Sequence, residues 1–127
     1  MPGQGEIWIA PFPYFDDQGK LTSKIRPVLI VSNNEVNNRA LDVVICQISR
    51  FEHERILKLP PEIRSKVRII TNNDLDPNTS GSLRNMSIIR PYKLFSMSKD
   101  KLNNCTFIGK LKSEVMNDIT TKTKEVF

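Results

Sequence analysis

Histidine and cysteine are scarce in this sequence, and their scarcity excludes several kinds of catalytic and metal site. His53 is the single histidine among 127 residues, which argues against acid–base catalysis by a pair of histidines. Cys46 and Cys105 lie far apart, form no CxxC pair and have no histidine at ligand spacing. We expect reduced thiols, with one disulfide as the alternative. Glu52 and Glu54 flank His53 and could bind a cation, but a solvated loop is the commoner structure, so we predict no metal site.

Long apolar runs and nucleotide-binding motifs are also absent. No apolar stretch approaches the length needed to cross a membrane, and the N-terminus lacks the pattern of a secretory signal. There is no Walker loop, no Rossmann glycine fingerprint and no G-x-S-x-G elbow. We therefore expect one soluble, cytoplasmic domain over residues 1–127 that uses no cofactor and does not bind membranes.

The positive charge is concentrated in the second half of the chain. Residues 1–64 hold eight Lys/Arg and eight Asp/Glu, whereas residues 65–127 hold eleven and six, which accounts for the net charge of +5. This excess modestly favours an anionic partner. Many of the lysines near the C-terminus are also explained by the solvated face of a helix.

Short strand patterns followed by one helical pattern predict a mainly β fold of the α+β class. Residues 6–10, 26–32, 41–49, 66–71, 86–90 and 105–109 are rich in β-branched and other apolar residues, and 55–59 could add a short strand. Residues 113–127 repeat apolar positions at helical spacing. The order favours a small antiparallel barrel or curled sheet with a C-terminal amphipathic helix packed on it.

Arg26 is the first residue of the most apolar predicted strand. Pro27 biases Arg26 towards extended geometry, and proline is tolerated where a strand starts. A solvated surface charge is the common role for such an arginine, but a guanidinium on a rigid strand can also bind phosphate. Gln47 and Ser49 end the next strand on one face and form a possible site rim. The available chemistry is thus an arginine and a hydroxyl, which together could stabilise a phosphorane.

Residues 11–23 predict a long exposed loop, because they combine two prolines with an Asp-Asp-Gln-Gly turn signal. The loop carries Phe12, Tyr14 and Phe15. These aromatic side chains could stack on nucleic-acid bases or anchor the loop to the core, and the second role fits Phe12 better.

Several segments together resemble the MazF/PemK family of toxin endoribonucleases. The resemblance rests on Gly5-Glu6-Ile7-Trp8, then Lys24-Ile25-Arg26-Pro27-Val28-Leu29-Ile30-Val31-Ser32-Asn33, then Val44 to Ser49, Ser87 to Met97, and Phe107 to Leu111. These segments span nearly the whole chain in the family's order. Residues 50–73 fit the pattern poorly.

The resemblance implies an SH3-like curled barrel, a homodimer and cleavage of single-stranded RNA without a metal. Attack by the 2′-OH would leave a cyclic phosphate and a 5′-OH end. Arg26 would be the main catalytic residue and Ser49 would take the family's hydroxyl position, where many relatives have threonine. The implied RNA-binding residues are Lys24, Phe15, Gln47, Asn33, Asn34 and Tyr14. The implied partner is an antitoxin whose disordered acidic tail blocks the groove.

Two other functions remain open from the sequence. One is a non-catalytic toxin of the same fold that inhibits DNA gyrase or another protein, and the other is an inactive nucleic-acid-binding relative. Arg26 and Ser49 together favour cleavage, because a pure binder does not need that pair. The roles of His53 and Arg90 are not predicted.

Overall fold

The computed structural model describes residues 2–79 and 81–126 of the chain, which form six strands and five α-helices. The strands are β1 (Glu6–Phe15), β2 (Leu21–Ile30), β3 (Asp42–Arg50), β4 (Arg68–Ile70), β5 (Ser87–Ser98) and β6 (Thr106–Lys110). The helices are α1 (Asn34–Arg39), α2 (His53–Lys58), α3 (Pro61–Arg64), α4 (Lys99–Leu102) and α5 (Ser113–Val126), with a 3₁₀ turn at Asn72–Asp74.

The strands form one antiparallel sheet in the order β4-β5-β3-β2-β1-β6. The sheet is curled but not closed, because its outer strands β4 and β6 are not paired with each other. The pairing register of β3 with β5 shifts between Cys46 and Gln47, because residues 91–93 of β5 bulge out of the ladder there. The predicted fold class, a curled antiparallel β structure with a C-terminal helix, is confirmed.

Hydrophobic clusters cover both faces of the sheet. One includes Leu29 and Ile48 and packs under α5, whose Ile119 is fully buried. The other includes Val28 and Ile45, on the opposite face. Neighbouring residues of β2 and β3 are therefore both buried, which explains why these strands are continuous apolar runs rather than alternating ones. This double burial holds the central strands rigid, and the candidate site lies where the pairing of β2 with β3 ends.

The predicted long loop over residues 11–23 is wrong, because these residues form a β-hairpin. β1 and β2 pair without interruption from Ile7 opposite Leu29 to Phe15 opposite Leu21. The prolines of β1 are tolerated because β6 pairs with β1 only as far as Ile9, so β1 is an edge strand beyond that point.

The connecting turn of this hairpin is short, and Asp16 organises it. Its side chain accepts hydrogen bonds from the backbone N–H groups of Gln18 and Lys20, both at 2.9 Å. Gly19 has a φ of 75°, in the region that favours glycine. Arg26 is consequently the sixth residue of β2 and not its first, so the predicted strand start is also corrected.

The other differences from the sequence prediction concern short segments. The predicted strand at 55–59 is wrong, since these residues belong mostly to α2. The predicted strand at 86–90 is part of a longer one, because β5 continues to Ser98. Arg64 favours the helical form of α2, because its guanidinium donates to the carbonyl oxygens of Leu57 and Leu59 at 3.0 and 3.1 Å.

The two cysteines are free thiols. Cys46 is fully buried under α5, and this burial raises the pKa of its thiol well above the ordinary value. Among the helices of residues 2–79 and 81–126, none is long and apolar enough to cross a membrane.

Candidate active site

A cavity of about 640 Å³ opens where β2 and β3 separate. The last paired residues of these two strands are Val28 and Gln47. Beyond them, β2 continues through Arg26 on one wall and β3 through Ser49 on the other. Residues 81–85 and 106–108 supply the remaining sides.

Arg26 and Ser49 reach this cavity through the register of the sheet. Arg26 lies two residues from Val28 and Ser49 two residues from Gln47, so each side chain shares the strand face of its paired neighbour. Each is also fixed by an outer strand, since Arg26 pairs with Ala10 of β1 and Ser49 with Ile88 of β5. The two residues that the sequence predicts to be catalytic therefore line one cavity.

The hydroxyl of Ser49 has an uncommon environment. Its Oγ is buried and has no hydrogen-bond partner among the described residues. A buried polar group without a partner costs free energy, and such groups are rare in native proteins. An oxygen of a bound ligand could accept a hydrogen bond from this hydroxyl and remove the cost.

The charged residues of the cavity all have the same sign. Arg26, Arg50 and Arg84 line it, and no Asp or Glu does so among the described residues. None of these arginines takes part in the ion pairs found among the described side chains. Apolar residues, including Ile25 and Phe107, complete the walls. The cavity thus offers hydrogen-bond donors with positive charge beside apolar surface, which suits an anion attached to an aromatic or apolar group.

Three predicted RNA-binding residues lie along the β1–β2 hairpin, outside the cavity. The Lys24 ammonium lies 4.7 Å from the centroid of the Tyr14 ring, a cation–π contact. Lys24 is two residues from Arg26 on β2, so both share a face of that strand. Phe15, at the end of the hairpin, is 70% exposed.

The structure does not bring Gln47, Asn33 and Asn34 into the cavity. Gln47 is half-buried and pairs with Val28 and with Arg90. Asn33 caps α1, because its side-chain oxygen accepts a hydrogen bond from the backbone N–H of Val36 at 2.9 Å. Asn34 accepts one from the backbone N–H of Gln4, also at 2.9 Å. Both asparagines lie beyond the C-terminal end of β2, and these two contacts stabilise the chain locally.

Sequence reasoning missed Arg50 and Arg84 as parts of the site. Arg50 directly follows Ser49, and this adjacency is the only sequence signal that could have indicated it. Arg84 lies in a turn-rich segment far along the chain, so only the folded structure brings it to the cavity.

Arg90, on β5, forms a basic position outside the cavity. Its Nε is buried and has no hydrogen-bond partner among the described residues. Burial, and then the positive charge of Arg90, lower the pKa of the Lys93 ammonium. Two neighbouring cations therefore lie near Gln47, outside the cavity.

His53 does not line the cavity; it begins α2 and stacks on Phe51 with a centroid distance of 6.4 Å. Among residues 2–79 and 81–126, no three His, Cys, Asp or Glu side chains are grouped closely enough to hold a metal ion.

Comparison with known proteins identifies the family to which this chain belongs. Residues 3–127 match the family model described as "PemK-like, MazF-like toxin of type II toxin-antitoxin system". The chain belongs to this family. No significant match was found among curated proteins.

Solved structures with the same fold include toxins of this family. One is an endoribonuclease in complex with its cognate antitoxin from a mycobacterial species, with a TM-score of 0.61 and 19% sequence identity; the match covers 99% of this chain and 94% of the other. Another is a MazE–MazF structure from Deinococcus radiodurans, with a TM-score of 0.57 and 14% identity; that match covers 98% and 94%. At these identities the likeness establishes the fold.

Proposed function

We propose that this protein is an endoribonuclease toxin that cleaves single-stranded RNA, and that a cognate antitoxin neutralises it. The observation that carries the proposal is one cavity lined by Arg26, Ser49 and two further arginines, in which the Ser49 hydroxyl has no hydrogen-bond partner among the described residues. Family membership supports the toxin role, and the endoribonuclease names of similar structures support the reaction.

In the proposed reaction the RNA supplies its own nucleophile. The ribose 2′-oxygen bonds to the adjacent phosphorus and its proton passes to solvent. The bond from phosphorus to the 5′-oxygen then breaks, and that oxygen takes up a proton. The products are a 2′,3′-cyclic phosphate and a 5′-OH end. No oxidant, cofactor or metal enters this balance.

Arg26 and Ser49 act on the phosphate in this reaction. The guanidinium of Arg26 binds the phosphate oxygens and stabilises the additional negative charge of the phosphorane. The Ser49 hydroxyl donates a hydrogen bond to a phosphate oxygen. A guanidinium stays protonated at ordinary pH, so its main contribution is charge stabilisation.

The remaining predicted RNA contacts belong to the same proposal. RNA that leaves the cavity along β2 would pass Lys24, Tyr14 and Phe15, where a lysine can contact phosphate and aromatic rings can stack on bases. Gln47, Asn33 and Asn34 stay predictions as base contacts.

The protein partners are proposed from charge and family. A disordered, acidic antitoxin tail fits an arginine-lined cavity, because carboxylates can pair with guanidinium groups that form no ion pair with the described side chains. We also propose a homodimer in the cytoplasm, where the mRNA substrate is found.

Incubation of a long RNA with the purified protein in EDTA, followed by sequencing of the cut ends, tests the proposal. We expect cleavage that leaves cyclic phosphate and 5′-OH ends. Arg26→Ala should abolish cleavage. The circular dichroism spectrum should stay unchanged, because the Arg26 side chain is only partly buried, in the wall of the cavity. Arg39→Ala is the matched control, since Arg39 is exposed on α1 and its one ion pair with the described residues is to Glu35.

Three results would contradict the proposal. Undiminished cleavage by folded Arg26→Ala protein would refute the catalytic role of this arginine. RNA left intact by the wild type, combined with stalled gyrase, would favour a non-catalytic toxin that acts on a protein target. Intact RNA that is nevertheless bound would favour an inactive nucleic-acid-binding relative.

A further inference from the structure

The cavity carries more positive charge than one phosphate can balance. Arg26, Arg50 and Arg84 contribute three positive charges, with no acidic side chain in the described lining. A phosphodiester carries one negative charge, and a phosphorane formed from it carries two. At least one positive charge therefore remains for a further anionic group of the substrate, and consecutive phosphates are the anions that RNA provides.

Arg84 is the arginine best placed to bind such a group, because Asn72 fixes the backbone beside it. The N–H of Leu83 donates to Oδ1 of Asn72 at 2.7 Å, and Nδ2 of Asn72 donates back to the carbonyl oxygen of Leu83 at 3.2 Å. Leu83 itself is buried in the cluster under α5. Asn72 thus forms hydrogen bonds with both backbone polar groups of Leu83, the residue that precedes Arg84.

The two ends of the loop formed by residues 81–86 are held as well. At the first end, a Cβ on Gly81 would lie 2.3 Å from the carbonyl oxygen of Ile108, so the loop lies directly against β6. At the other end, the N–H of Phe51 donates to the carbonyl oxygen of Met86 at 2.9 Å. The loop is therefore a fixed wall of the cavity, while the Arg84 side chain is exposed and free of ion pairs with the described residues.

We infer that Arg84 binds a second phosphate of the RNA, next to the one that is cleaved, and that Asn72 is the residue that positions it. This inference rests on the proposed function. It assigns the site to a strand with at least two consecutive phosphates, since a substrate with one phosphate would leave Arg84 without an anion. Phosphate contacts of this kind position the strand and carry no sequence preference.

The salt dependence of binding tests the role of Arg84. The probe is a short mixed-sequence RNA with 2′-O-methyl groups, which lacks the nucleophile and cannot be cleaved. On single strands each phosphate contact contributes about 0.7 to the slope of log K against log salt concentration. Arg84→Gln should lower the slope by about that amount and weaken binding about tenfold at low salt. Arg39→Gln removes an equal charge outside the cavity and should change neither quantity appreciably.

A double-mutant cycle tests the role of Asn72. Asn72→Ala should lower the slope in the same direction as Arg84→Gln, and the double variant should bind as Arg84→Gln alone does. Fully additive losses would show that Asn72 has only a general structural role. Circular dichroism shows whether Asn72→Ala folds; if it does not, Arg84→Gln alone decides the inference.

The outcomes separate this inference from the proposed function. If the wild type cleaves RNA but Arg84→Gln keeps the wild-type salt slope, the second-phosphate assignment is overturned and the proposed function stands. If the wild type neither cleaves nor binds RNA, the proposed function fails and this inference fails with it.

Discussion

Replacing Ser49 by alanine should make the protein more stable and less active. In the free protein the Ser49 hydroxyl is buried without a hydrogen-bond partner among the described residues. Such a group lowers the free energy of unfolding by its desolvation penalty, about 1–3 kcal/mol. Alanine removes the hydroxyl and keeps the β-carbon, so Ser49→Ala should recover at least the lower part of this range.

The magnitude can be expressed as a melting temperature. For a chain of this length, 1 kcal/mol corresponds to about 3–5 °C. Ser49→Ala should therefore raise Tm by about 3 °C or more. If the hydroxyl donates to the phosphate in the transition state, cleavage should slow by roughly 10²–10³-fold, the usual effect of losing one such donor.

Differential scanning calorimetry and a single-turnover cleavage assay measure the two effects on one preparation. Ser87→Ala is the matched stability control, because Ser87 also lines the cavity but its hydroxyl donates to the carbonyl oxygen of Asn85 at 2.8 Å. Loss of that bond should cost about 0.5–1.5 kcal/mol, so the two substitutions should shift Tm in opposite directions.

A fall in Tm for Ser49→Ala as large as that for Ser87→Ala would show that the Ser49 hydroxyl has a stabilising partner in solution. An unchanged cleavage rate would return the hydroxyl to a purely structural role.

Two further predictions concern stability and need no RNA. Gly81→Ala should lower the free energy of unfolding, measured in urea, by at least about 1 kcal/mol more than Gly19→Ala does. Both glycines have positive φ, but of the two only Gly81 would place its new Cβ against backbone, at the carbonyl oxygen of Ile108. Equal costs for the two variants would contradict the tight contact between loop and β6. Lys93→Gln should raise Tm slightly at neutral pH, because partial burial and the charge of Arg90 lower the pKa of Lys93, while solvent around its exposed side chain weakens the effect. The destabilisation by charged Lys93 is complete below the lowered pKa and disappears as pH rises through the ordinary lysine pKa. The gain in Tm should therefore vanish at high pH, and a gain that persists there would contradict this cause.

The β1–β2 hairpin and helix α2 show why sequence patterns alone misjudged some elements. Pro11 and Pro13 argue against a strand when the neighbours are unknown, yet they fit β1 because β6 pairs with it only as far as Ile9. Arg55 to Leu59 satisfy a short strand pattern equally well, and the contacts of Arg64 with two carbonyl groups favour the helix instead. In each case the structure of the segment depends on a contact with a residue outside it: β6 for the prolines of β1, and Arg64 for α2.

The sequence by itself determined the apolar strands around Arg26 and Ser49, the C-terminal helix, the shortage of histidine and cysteine, and the family. These properties are local, because side-chain hydrophobicity and backbone preference act within a few residues. Only the tertiary structure decided which charges share a cavity. The end of the β2–β3 pairing opens the space, and the loop held by Asn72 brings Arg84 to it from far along the chain. The same packing leaves the Ser49 hydroxyl without a partner among the described residues. Such convergence depends on strand register and on long-range contacts, which no local pattern encodes.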